Sequence, residues 1–182
     1  MNCVQARDRF AETLDAAGQL GEMLIRHLGD RKQVLPGLGR GIAAGVALEQ
    51  QIGAAGDAAQ AYVVAHEVGH HIQTITGTSE QVRRAQGRAS QVEGNALQVR
   101  MELQADCYAG VWAARAKNSA GQSVMEAGDM EEAMRAANAI GDDTLMRSAG
   151  QRPVPESFTH GTSEQRMSWL RRGLETGDPR QC

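Results

Sequence analysis

Aromatic residues make up only 3% of the 182 positions, and neither sign of charge dominates, with 19 Lys and Arg against 22 Asp and Glu. The first scarcity argues against an aromatic-rich sandwich. With many Ala and Gly in its place, closely packed small-residue helices are favoured. A net charge of −3 leaves no basic field for nucleic acid. No stretch approaches the roughly 20 apolar residues of a membrane span; the best candidate, Gly41 to Leu48, is short and interrupted by Gly45. Met1-Asn2-Cys3-Val4-Gln5 does not open a basic-then-apolar leader, so the sequence reads as soluble and gives no cellular address. The three cysteines, Cys3, Cys107 and Cys182, match no cysteine-based zinc spacing. Their odd number leaves at least one thiol free and the redox compartment open.

Alternating strand patterns and internal repeats are also missing. What the chain does contain is helix punctuation. Residues 10–28 could form a helix weakened by Gly18, Gly21 and Gly29. Pro36-Gly37-Leu38-Gly39-Arg40-Gly41 then breaks the chain, without the spacing or the Gly-Lys-Ser/Thr ending of a phosphate loop. From Asp57 the signals become regular. Asp57 with Gln60 reads as a cap, and the helix runs to Thr76 with Gly77 as its stop. Thr78 with Gln81 starts another. A long pattern over 91–117 carries Val92, Leu97, Met101, Ala105, Tyr108 and Trp112. Ser123 with Glu126 predicts a helix to Ile140, stopped by Gly141. Pro153-Val154-Pro155 is a turn, and Thr162 with Gln165 opens a last helix. The expected organisation is an atypical segment over 1–50, helical or poorly ordered, followed by one helical domain over 51–182.

The segment Ala65-His66-Glu67-Val68-Gly69-His70-His71 carries chemistry. Side chains four apart share a helix face, so His66 and His70 can reach one metal ion, and neutral imidazole suits zinc. Glu67 is rotated by roughly 100° from His66. It flanks the metal without ligating it, placed to move a proton from a metal-activated water to a leaving amine. A chance HExxH on a surface helix is the bland alternative. Val63, Val64, Ala65, Val68 and Ile72 count against it, because ionisable groups among them would be costly without partners. His71 points away from the pair and reads as structural. Gly69 permits close approach of a neighbouring helix or of a bound peptide.

Zinc in a catalytic site takes a third protein ligand and keeps its fourth position open. Glu80, Glu93, Glu102, Asp106 and His160 are candidates. Glu102 is the choice, because Leu103, Ala105, Cys107, Tyr108, Ala109 and Val111 around it predict a buried helix rather than a solvated acidic face. Asp106, one turn on, could accept a hydrogen bond from the non-ligating nitrogen of a zinc histidine.

Three ordered blocks carry a resemblance. They are Ala61 to Gln73, Glu102 to Trp112, and Ile140-Gly141-Asp142-Asp143 followed by His160-Gly161-Thr162-Ser163-Glu164-Gln165-Arg166. From about Gln51 to Cys182 the chain resembles the bacterial neutral zinc metallopeptidases. The resemblance implies a mainly α, zincin-like core with the usual small β region reduced or absent. It also implies a gluzincin-like site with one zinc per chain on His66, His70 and Glu102, and hydrolysis of a peptide or protein substrate. Relatives carry a membrane-anchoring segment and then an extended region before the zinc helix. Residues 1–50 show neither, which leaves membrane association to the resemblance alone and puts the substrate-pairing strand in question. In similar enzymes a late histidine or arginine steadies the oxyanion; His160 is the candidate with Arg166 behind it, unless His160 simply caps the last helix. Cys107 and Cys182 both lie in the resembling part, as a disulfide tethering the C-terminus or as a buried thiol and a frayed end. The expected function is a zinc peptidase with Glu67 as general base. Its rivals are an inactive zinc-stabilised helical binding module and a metal-free interaction protein.

Overall fold

The computed structural model describes residues 56–182, so the expectations for 1–50 lie outside the described residues. The chain is mainly α. Among the described residues six α-helices follow in order: α1 (Asp57–Ile75), α2 (Thr78–Gln86), α3 (Gln91–Arg115), α4 (Asp129–Ala139), α5 (Asp142–Ser148) and α6 (Ser163–Thr176). Short 3-10 turns lie at Pro155–Ser157 and Pro179–Gln181. Among the described residues the only β pairing is the isolated bridge Lys117 to Ser123. No helix among them is long and apolar enough to cross a membrane.

Two helix starts follow from local capping chemistry. Thr162 and Gln165 exchange reciprocal hydrogen bonds at the start of α6, and Ser90 and Glu93 do the same at the start of α3. Two expected starts are corrected. Asp57 is the first residue of α1 rather than its cap; the helix end is satisfied instead from α4, where the Glu132 carboxylate accepts the Ala59 N–H at 2.9 Å. Ser123 does not open a helix, because its hydroxyl takes the Met125 N–H in a tight turn. Asp129 takes the Glu126 N–H, and α4 begins only there. Between Gly141 and the last helix the short α5 was not anticipated.

Helix α3 is the spine, packed against α1 on one side and α6 on another. The contacts are made by small residues, as the composition suggested: Ala65, Ala109, Ala136 and Ala137 are buried with Trp112 and Leu170. Two glycines set the α3–α6 distance. A Cβ on Gly110 would sit 2.1 Å from the Leu170 carbonyl oxygen, and one on Gly173 would sit 1.9 Å from that of Cys107. Gly69 of α1 plays the same part against α3, its Cβ position lying 3.0 Å from Ala105 Cα. Helix packing is therefore the use of this glycine. Cys107 and Cys182 are joined by a disulfide with Cα atoms 5.6 Å apart, which ties the turn after α6 to the middle of α3.

The α3–α6 contact gives a direct test. Gly110→Ala or Gly173→Ala drives a methyl into a main-chain carbonyl, and we expect a loss of about 3 kcal/mol or more. In a thermal melt this corresponds to a fall of about 6 °C or more. Gly94→Ala, on α3 with nothing within 4 Å of the new methyl, should leave Tm unchanged or slightly raised. Equal melting of all three variants would contradict the packing described.

Candidate metal centre

Contacts between α1 and α3 run in opposite numerical order. Tyr62 meets Asp106, His66 meets Asp106 and Glu102, His70 meets Glu102, and Gln73 meets Met101. The two helices are thus antiparallel, and the Gly69–Ala105 approach brings their facing side chains within reach. His66 Nε2 lies 3.2 Å and His70 Nε2 3.4 Å from the same oxygen, Glu102 Oε2. One ligand atom from each of the three residues falls within 4.8 Å of the others, an arrangement that could hold a metal ion.

The remaining polar atoms of the trio are also engaged. His66 Nδ1 donates to Asp106 Oδ1 at 2.8 Å, and His70 Nδ1 to Gln73 Oε1 at 2.9 Å. A carboxylate only accepts, so the proton belongs on Nδ1 of His66 and the Nε2 lone pair is turned to the centre. Gln98 Nε2 donates to Glu102 Oε1 at 3.0 Å, which leaves Oε2 facing the two rings. Two imidazoles and one carboxylate, each oriented from behind, match the donor set of a three-ligand zinc site. The electrostatics agree. Burial opposes a charged His66, yet its hydrogen bonds to Asp106 and Glu102 outweigh this and push it up to about 9. Burial likewise opposes ionised Glu102, but the two histidines hold it well below the usual carboxylate range. The His70 imidazole is raised by Glu102 against the effect of burial. The pocket is built to face a positive charge, which a proton or a divalent cation can supply.

Behind His66 lies a polar core. Asp106 has no exposed surface. It accepts the Tyr62 hydroxyl at 2.6 Å, and both Arg166 Nε and Nη2 at 2.9 Å. Burial and the Asp106 charge keep the Tyr62 phenol protonated, as a donor must be. Arg166, the reserve candidate for the oxyanion, is 2% exposed and committed to Asp106. Tyr62, Gln73, Gln98 and the true place of Arg166 were not found from the sequence. A usable signal was present for two of them: Tyr62 and Gln73 continue the face of α1 that carries His66 and His70.

The other sequence candidates fall elsewhere. Glu80 pairs with Arg83 and Arg84 on the surface of α2, and Glu93 caps α3. Glu67 is exposed beside His66, and His71 is exposed as well. His160 is exposed, with its ring 3.1 Å from Asp142 Oδ1. The other oxygen of Asp142 accepts the main-chain N–H groups of Thr159, His160 and Gly161. These contacts hold the turn before α6; no described contact joins His160 to the trio.

A family model described as "Putative neutral zinc metallopeptidase" matches residues 45–182. The chain belongs to this family. The matched range takes in the trio, Glu67, Asp106 and Arg166. The chain is also similar to the uncharacterized protein YpfJ of Escherichia coli, 56% identical over 135 residues that cover 74% of this chain and 46% of that protein. A second relative, the uncharacterized protein Rv2575 of Mycobacterium tuberculosis, is 43% identical over 143 residues, with 74% and 47% covered. The chain spans about half the length of these curated relatives. No solved structure matches it.

The Asp106 cluster can be tested by stability. Arg166→Met leaves a buried carboxylate without its counter-charge, with an expected cost of about 3–5 kcal/mol. Combined with Asp106→Leu, the loss should be smaller than the sum of the two single changes, because the unpaired charge is removed too. Urea denaturation of the four proteins measures the coupling; strict additivity would show that the pair is not acting as drawn.

Proposed function

We propose that the chain is a zinc-dependent peptidase, with His66, His70 and Glu102 holding one zinc ion and Glu67 acting as general base. The observation that carries the reading is the convergence within 4.8 Å of two imidazole nitrogens from the HExxH helix α1 and one carboxylate oxygen from α3. When bound, zinc supplies a Lewis acid that polarises a carbonyl and makes a nearby water acidic. The protein's part is to fix the donors and to move the proton. Asp106 and Gln73 keep the rings turned, and Gln98 holds Glu102 in register. Glu67, exposed one residue round the helix from His66, takes a proton from the attacking water and hands it to the leaving amine. The substrate is a peptide or protein segment. His160 is held to the turn before α6 by Asp142, which takes its main-chain N–H and engages its ring at Nδ1; its part at the oxyanion stays a proposal that rests on Nε2.

Glu67→Gln should keep about one equivalent of zinc and lose at least about 100-fold in turnover. Glu102→Ala should lose the metal itself. Elemental analysis and cleavage of casein or a peptide library read the two effects. A Glu67→Gln variant as active as the parent would refute the mechanism. A parent that holds zinc yet cleaves nothing would favour a zinc-stabilised binding module. Chelation should abolish activity and lower Tm, with both restored by zinc.

A further inference from the structure

Two glutamines link His70 to the disulfide. Gln73 is fully buried and every polar group of its amide is used. Its Oε1 accepts from His70 Nδ1 at 2.9 Å, while Nε2 donates to the Met101 carbonyl at 2.7 Å and to Gln104 Oε1 at 3.0 Å. Gln104 Nε2 in turn donates to the main-chain oxygen of Cys182 at 3.4 Å. Cys182 is held to Cys107 of α3 by the disulfide.

The chain of bonds has a direction. A main-chain oxygen can only accept, so Cys182 requires the amide nitrogen of Gln104, and Gln104 then shows its oxygen to Gln73. Gln73 must answer with its own nitrogen, which the Met101 carbonyl also demands. Turning the Gln73 amide over would set its oxygen against two other oxygens. Its oxygen is therefore fixed towards His70, Nδ1 carries the proton, and Nε2 is left bare towards Glu102. We propose that Gln73 and Gln104 are positioning residues that set the His70 tautomer for metal binding, and that the Cys107–Cys182 bond anchors the far end of this relay. The disulfide is thus part of the metal centre, besides being a staple between α3 and the turn after α6. The inference rests on the metal reading given above.

Because the Met101 carbonyl holds Gln73 independently, the two ends of the relay should differ in weight. Zinc affinity is measured on the full chain by competition with a chromophoric chelator, alongside the melting temperature of each metal-free protein. Gln73→Met should weaken zinc by about 10–100-fold. Gln104→Met, which leaves the disulfide intact, and the double change Cys107→Ser with Cys182→Ser should each weaken it by about three- to tenfold, below the roughly 10–100-fold of a residue bonded directly to a metal ligand, because the Met101 carbonyl still holds Gln73. Combining Gln104→Met with the cysteine changes should add little further, because both cut the same relay. Unchanged zinc affinity in Gln104→Met would overturn the relay. A lower melting temperature in the cysteine variant with unchanged zinc affinity would make the disulfide merely structural and overturn the anchor. A parent chain that binds no zinc would overturn the metal reading and the relay together, whereas tight zinc in the parent and in every variant would sink the relay alone.

Discussion

A carboxylate with no access to water, Asp106, ties three helices together. Burying a charge without partners is prohibitive in free energy, so its neighbours are dictated. Arg166 from α6 meets it with two nitrogens, and Tyr62 and His66 from α1 complete its hydrogen bonds. Each of these elements must therefore sit where it does for α3 to tolerate the charge. The glycines at the α3–α6 crossing and at Gly69 make that approach sterically feasible, and the small apolar side chains around them fill the remaining space. The scaffold and the orientation of a candidate metal ligand thus depend on one buried group.

From this arrangement follows the electrostatic character of the trio. Glu102 and Asp106 flank His66 on its two nitrogens, one carboxylate inside the pocket and one behind it. Arg166 neutralises the rear carboxylate, and nothing equivalent among the described residues neutralises Glu102 except the two histidines. The negative charge facing Nε2 is therefore left for a cation. His66 and His70 are oriented by different devices, an ionised carboxylate for one and a neutral amide for the other. The carboxylate hydrogen bond makes His66 the more strongly polarised donor, and His70 is the more exposed of the two rings.

Much of the helical framework was legible because it rests on local chemistry. The capping box at Thr162–Gln165 and the stop at Gly77 act within one turn of their own residues. HExxH spacing places two rings on one helix face for the same reason. Reading failed where a competing local bond or a distant residue supplied the partner. Ser123 satisfied Met125 and so could not cap a helix, and α1 took its N-terminal acceptor from Glu132, far along the chain. The Cys107–Cys182 choice stayed open for the same reason, since pairing depends on the folding-back of α6.

The sequence alone determined the helical class, the two histidines and Glu67 as a spaced set, and a short menu of acids for the third position with Glu102 preferred for its apolar neighbours. These are consequences of helix periodicity and residue chemistry, which are properties of neighbours. Tertiary structure decided that Glu102 does meet both histidines, because that contact depends on the antiparallel register of α1 and α3 set at Gly69 and Ala105. It also decided that Arg166 faces Asp106 and that Gln73 fixes His70. A buried polar group takes whatever complementary partner the packing brings within hydrogen-bond distance, and packing joins residues that the chain order keeps far apart.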